Sequence, residues 1–226
     1  MKRILSFSFV FVAGLILILY FAGVFDSSTP EIEPAVDEPD LPVVAIAIDA
    51  GHGGRDPGAV ADGILEKDVN LAIAKRVAEL ARNHPRLNPV LTRSSDITID
   101  KLERIRIAEE AGAKLYLSIH ANAFSSTEVH GTETWVDNTR ETGGPSWLLA
   151  ECVQNALVEA TETRDRGVRS QDLYLHNTAL PAASVEVGFL TCPEERAKLV
   201  DADYQNTVAA ALMDGVLEFL SSSDMI

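Results

Sequence analysis

Two patterns of hydrophobic and polar positions divide the chain. From Ile4 to about Val24 the sequence ILSFSFVFVAGLILILYFAGV carries no charge, whereas from Val43 onward short apolar runs alternate with amphipathic stretches. That alternation predicts strands and helices in turn, the mark of an α/β domain. VVAIAI at 43–48 is the continuous run of a strand buried on both faces. In EKDVNLAIAKRVAELAR, residues Val69, Ile73, Val77 and Leu80 fall on one helical stripe. A short strand is expected over Asn88–Arg93. A helix then starts at Asp100 in a D-x-x-E capping pattern with Glu103 and turns Leu102, Ile105 and Ala108 inward.

KLYLSIH at 114–120 predicts a third strand, with Leu115, Leu117 and Ile119 on one face and Tyr116, Ser118 and His120 on the other. Thr132–Val136 reads as a fourth strand, and Pro145 opens a helix that buries Leu148, Cys152 and Ala156. A weak strand at Asp172–Leu175 and a strong one at Ala182–Phe189 follow. In the strong strand Val185, Val187 and Phe189 share one face, and Ser184, Glu186 and Gly188 the other. Thr191 and Glu194 suggest a T-x-x-E cap around Pro193, and a last helix carries Val208, Leu212, Val216 and Phe219. These elements imply one α/β domain of about 180 residues: a mixed or mostly parallel sheet with helices on both faces.

The N-terminal run changes the setting of that domain. Its length suits a bilayer, which needs roughly 20 apolar residues of helix, and it exceeds the roughly 7–15 residues of a cleaved signal's apolar region. Residues 1–24 are read as a membrane anchor, with a cleaved signal segment as the alternative. Lys2 and Arg3 before the run keep the N-terminus cytoplasmic, so both readings export the rest of the chain. Residues 25–42, rich in proline and carboxylates, read as an extended acidic linker. A net charge of −15 argues against a basic phosphate-binding surface, so no nucleic-acid partner is expected. The two cysteines, Cys152 and Cys192, read as small apolar side chains, with a disulfide as the alternative in an exported protein.

Chemistry collects at the strand ends. His52 follows the first strand in a glycine-rich loop, His120 ends the third, and Glu186 lies in the strong strand near the C-terminus. Ligands of open α/β sheets bind beyond the carboxyl ends of strands, and Glu66 at the start of the first helix can fold back over the same edge. Two imidazoles and one carboxylate suit a catalytic zinc, and a second carboxylate can then move protons. Glu186, between two valines, needs a partner or a function. The bland alternative is a buried ion pair with Arg93 or Arg104. His84, His130 and His176 are assigned to structure, as are Arg93, Asn70 and Arg104. Asp49 could orient an imidazole or cap a loop, and Asn122 could touch substrate or close a turn.

IDAGHGGRDPGAV, EKDVNLA, LTR, SIHANA, GTE and PAASVEVGFLT, in that order, resemble the motif series of the zinc-dependent N-acetylmuramoyl-L-alanine amidases over roughly Val43 to Leu220. The resemblance implies a catalytic domain over residues 43–221 with a sheet of about six strands. It also implies one zinc ion held by His52, Glu66 and His120 with water in the fourth position, and Glu186 as the catalytic carboxylate. Peptidoglycan is then the substrate, cut between the lactyl group of N-acetylmuramic acid and L-alanine. Departures from the family's pattern at Ala50, Glu109 and Thr191–Cys192 fall on none of these residues. The interval 121–185 leaves no room for the long helix that masks the site in some members. Two rivals remain: a zinc peptidase cutting within the stem peptide, and a non-catalytic wall-binding or regulatory module with the same fold. The sequence names no protein activator. The catalytic domain is expected outside the cytoplasmic membrane, anchored to it or secreted.

Overall fold

The run expected to be buried on both faces is strand β1 (Val44–Ala50), with Ile46, Ile48 and Ala50 in the main core and Ala47 in a second cluster on the opposite face. The computed structural model describes residues 42–226. The uncharged run and nearly all of the acidic linker therefore lie outside the described residues. Among the described residues no helix is long and apolar enough to cross a membrane.

After β1 come a small hairpin, β2 (Val60–Ala61) and β3 (Ile64–Leu65), and then helix α1 (Glu66–Arg82). Strand β4 (Leu87–Leu91), helix α2 (Lys101–Glu110), strand β5 (Tyr116–Asn122), strand β6 (Thr132–Asp137), helix α3 (Pro145–Thr161) and strand β7 (Asp165–Gln171) follow. A 3-10 turn at Tyr174–Asn177, strand β8 (Ala182–Phe189), helix α4 (Pro193–Leu199) and helix α5 (Ala202–Ser222) complete the domain. Six strands form one mixed sheet in the order β4-β1-β5-β8-β6-β7; the first four run parallel, and β6 and β7 run against them. The carboxyl ends of β1, β5 and β8 thus meet the start of β6 at one edge. Pro89 is tolerated because β4 is an edge strand.

Helices α1, α3 and α5 cover one face, where Ile73, Val77, Leu149, Val153, Leu212 and Phe219 pack on the sheet's apolar side chains. Gly215 of α5 is the close-approach point, since a Cβ there would lie 2.6 Å from the Cα of Val153. The other face is covered at β1 and β5 by α2 and the 3-10 turn, through Ile105, Ala108 and Leu175. Trp135, Ser184 and Glu186 on that face stay partly exposed.

Several local expectations are corrected. Leu80 is 39% exposed, and Ala81 takes the buried position because the stripe drifts around the helix over three turns. Leu102 is 57% exposed beside the cap, while Arg104 turns inward for a polar reason given below. Asp100 caps α2 through the Leu102 amide, but Glu103 pairs with Arg106 instead of closing a capping box. In α3 the deepest residues are Leu149, Val153 and Leu157 rather than Leu148 and Ala156. The strand after the fourth predicted one is β7 at 165–171, not 172–175: DRGVRSQ is a mostly exposed edge strand with no apolar alternation, and the apolar Tyr174 and Leu175 belong to a turn. Thr191 does not cap α4, because its hydroxyl accepts from the Phe124 amide.

In β8 a bulge breaks the alternation: His120 pairs with Glu186 but Asn122 pairs with Phe189, which leaves one extra residue on β8, with Gly188 at φ 150°. Val185 and Val187 join the main core, whereas Phe189 leaves that face and lies under the guanidinium of Arg166, 5.0 Å from its ring. Cys152 and Cys192 are buried free thiols.

Candidate metal centre and active site

Strand β1 ends at Ala50, and the chain turns at once into Gly51–Gly58. His52 takes a left-handed conformation at φ 61°, which costs a non-glycine residue about 1–3 kcal/mol and persists only where its surroundings enforce it. Two buried guanidiniums do so. Arg93 donates to the carbonyls of Ala50 (2.8 Å), Gly51 (3.0 Å) and Lys67 (2.7 Å). Arg104 donates to those of Ala50 (2.7 Å) and His52 (2.6 Å) and to the Asp49 carboxylate (2.7 Å).

Asp49 thereby becomes the hub of the loop's foundation. It accepts from Thr92 (2.5 Å), Ser118 (2.6 Å) and Tyr174 (3.1 Å) as well as from Arg104. Complete burial works to raise its pKa, but Arg104 and the hydroxyl donors outweigh that and hold it below the ordinary 3.8. Asp49 touches neither imidazole, so the orienting role open to it falls instead to Asp56, whose Oδ2 lies 2.8 Å from His52 Nδ1. His52 and Asp56 in HGGRD share one short loop, which was the only sequence signal for this pair.

Glu66 is the first residue of α1, where a carboxylate also favours the helix dipole. Its Oε2 lies 3.2 Å from His52 Nε2, and its Oε1 lies 2.8 Å from His120 Nδ1. Asn70, one turn along α1, donates to Glu66 Oε1 (3.1 Å) and to the Gly51 carbonyl (3.2 Å), and the Ala59 amide donates to Oε2 (2.8 Å). The two imidazoles stand edge to face, with centroids 4.9 Å apart. Gly51 is required here for space: a Cβ would lie 2.2 Å from the His120 ring. Gly53, Gly54 and Gly58 of this turn take positive φ, whereas Gly51 does not.

One ligand atom from each of His52, Glu66 and His120 lies within 4.8 Å of the others. Two imidazoles and one carboxylate gathered this closely are the donor set of a catalytic zinc site, so the residues present fit such an ion. Without a metal the three groups satisfy one another. Burial opposes charge on His52, yet its hydrogen bonds to Glu66 and Asp56 raise its pKa to about 9. Burial likewise opposes ionisation of Glu66, but the two imidazoles hold it far below the usual carboxylate range.

Glu186 is the direct cross-strand neighbour of His120. Among the described residues it has no cation partner: Arg104 is committed to Asp49, Arg93 to backbone carbonyls, and Glu186 Oε2 is a covered oxygen without a hydrogen-bond donor. Burial, with smaller effects from Glu66 and Glu133, pushes its pKa up to about 7. The ion-pair alternative for Glu186 is therefore not realised. On its other side stands Glu133 of β6, buried and paired with Arg166 and Arg169 of β7 and with the Asn122 amide. Asn122 thus closes a polar network at the strand ends. Glu133 stands in the GTE motif on the predicted fourth strand but was given no role, and Arg166 and Arg169 escaped the sequence reading because β7 has no apolar signature to place them.

The remaining histidines lie apart from this group. His84 accepts from the Arg86 amide, and His130 bonds the Glu128 carbonyl. His176 stands near Asp137 and Asp172, but both oxygens of Asp137 are already occupied, one by Thr139 and the other by the Leu173 amide.

A mixed sheet whose carboxyl edge gathers two imidazoles and a carboxylate, with a second carboxylate beside them, carries the donor set used by metal-assisted hydrolases. The comparison with known proteins narrows that class. The family model described as N-acetylmuramoyl-L-alanine amidase matches residues 46–218, and the chain belongs to this family. N-acetylmuramoyl-L-alanine amidase LytC of Bacillus subtilis is 40% identical over 196 residues, covering 85% of this chain but only 39% of LytC. The germination-specific N-acetylmuramoyl-L-alanine amidase of the same organism is 31% identical, covering 96% of this chain and 94% of that protein. Among solved structures, the catalytic domain of CwlV from Bacillus (Paenibacillus) polymyxa matches with 37% identity and a TM-score of 0.75, over 79% of this chain and 99% of that one. An amidase from Clostridium difficile 630 matches with 35% identity and a TM-score of 0.76, over 80% and 98%.

Proposed function

We propose that this chain hydrolyses the amide between the lactyl group of N-acetylmuramic acid and L-alanine in peptidoglycan, using one zinc ion held by His52, Glu66 and His120, with Glu186 as the proton-transfer group. The observation that carries the reading is Glu186: a partly exposed carboxylate in register with His120, with its Oε2 covered and without a donor, beside three groups clustered as metal ligands. When bound there, zinc supplies Lewis acidity, polarising the scissile carbonyl and lowering the pKa of water to roughly 7. Glu186, poised near neutrality, takes a proton from the attacking water and returns one to the departing alanine amine. Asp56 fixes the orientation of the His52 ring, while Asn70 and the Ala59 amide hold the Glu66 carboxylate. The guanidiniums of Arg93 and Arg104 keep the loop that carries His52 in its left-handed turn.

The test pairs metal content with turnover. Glu186→Gln should retain one zinc per chain and lose about 10²–10⁴-fold in turnover, whereas His52→Ala and His120→Ala should lose zinc and activity together. Near-normal turnover by Glu186→Gln would remove the proton-transfer role.

A further inference from the structure

The row of side chains that starts at the metal cluster does not stop at Glu186. Cross-strand neighbours carry it from His120 on β5 to Glu186 on β8 and Glu133 on β6, and two guanidiniums reach back to Glu133 from β7. Glu133 is 2% exposed, and its Oε2 accepts from Arg166 Nε at 2.8 Å and Arg169 Nη1 at 3.1 Å. One carboxylate thus faces two cations, so Glu133, Arg166 and Arg169 together carry one excess positive charge on a molecule whose net charge is −15.

The two arginines are held differently. Arg166 is a strut, with its side chain 22% exposed and packed over the Phe189 ring. The side chain of Arg169 is 47% exposed, and its guanidinium lies 5.2 Å over the ring of Trp135. Of its five donors only the one from Nη1 is engaged within the described residues. A guanidinium placed over an aromatic ring, with donors still open to solvent, suits a carboxylate.

Resting on the amidase reading above, we infer that Arg169, seated on Trp135, binds the free carboxylate of the acidic residue that follows L-alanine in the stem peptide. The enzyme then prefers stems in which that carboxylate is not amidated. Distances support the assignment. Strands are about 4.8 Å apart, so Glu133 lies one spacing and the β7 backbone two spacings from Glu186. A stem that runs from beside Glu186 toward β7 spans about 7 Å in two extended residues, more than the one spacing to β6, where the Arg169 guanidinium lies over Trp135. Charge complementarity and continuity with the catalytic row both favour the peptide side of the substrate over the neutral sugar on this face.

The experiment measures kcat and KM of the full-length protein on two disaccharide-tetrapeptides that differ only in a carboxylate or a carboxamide at the second residue. Wild type is expected to favour the carboxylate by about 10-fold or more in kcat/KM, mainly through KM. Arg169→Gln should bring the two substrates to within about twofold of each other, and Arg169→Lys should keep only part of the preference, because an ammonium lacks the planar fork. Equal cleavage of both substrates by wild type, or a preference that survives Arg169→Gln, would overturn the inference and leave the amidase reading intact. If Arg169→Gln fails to show a folded melting transition, the wild-type ratio and Arg169→Lys decide. Cleavage of neither substrate nor of whole peptidoglycan would instead overturn the amidase reading and this inference with it.

Discussion

His52 combines the two properties that set the site's demands on single residues: a strained left-handed backbone and an imidazole fixed from both ring nitrogens. Asp56 holds the ring from the side away from Glu66, so Asp56→Ala should weaken zinc affinity about 10–100-fold while leaving the fold intact, as competition with a chromophoric chelator would read. Gly51→Ala should be more severe. Its Cβ would enter the His120 ring at 2.2 Å, and the expected outcome is loss of zinc with a folded circular dichroism spectrum. The four side chains gathered at the sheet edge were legible in the sequence as residue types at strand ends, with Glu66 added by its place at a helix start. Their supports were not. Asp56, Asn70 and Arg93 act through hydrogen bonds to ring nitrogens, a carboxylate and backbone carbonyls, and such contacts leave no periodic trace in a sequence.

Elements with a strong apolar period were read within a residue or two. Ala182–Phe189 matches β8, and the helix drawn from Glu66 matches α1. Strand β7 failed the same reading because it is an edge strand with polar side chains on both faces, held by its pairing with β6 alone. Another feature at this scale, the tie between β1 and α2, is polar and wholly buried: Asp49 on the strand, Arg104 on the helix. Removing one partner strands the other charge, so Asp49→Ala should cost about 3–5 kcal/mol in denaturant unfolding at neutral pH. The pKa of Asp49 is lower in the folded state than in the unfolded chain. Its contribution is therefore present above the unfolded value of about 3.8 and is lost as pH falls through the lower folded value. Wild type should lose stability more steeply below about pH 4 than Asp49→Ala does, which unfolding curves at stepped pH would show.

At the level of the molecule, the uncharged run at 4–24 and the acidic linker at 25–42 bear on where a catalytic domain over 43–221 works. The proposed anchor would keep that domain outside the cytoplasmic membrane. Membrane fractionation should then recover the full-length chain with the membrane, while a shortened soluble form would favour the cleaved signal. The chain spans 39% of the length of LytC but 94% of the germination-specific amidase.

The most direct test of the central claim is mass spectrometry of purified peptidoglycan digested by the full-length protein with zinc and with a chelator. The account predicts zinc-dependent release of intact stem peptides that begin with a new N-terminal L-alanine, and no release by Glu186→Gln. Cleavage within the stem would make the chain a peptidase on an amidase scaffold. No cleavage by folded, zinc-loaded protein would contradict the catalytic reading and favour a wall-binding role.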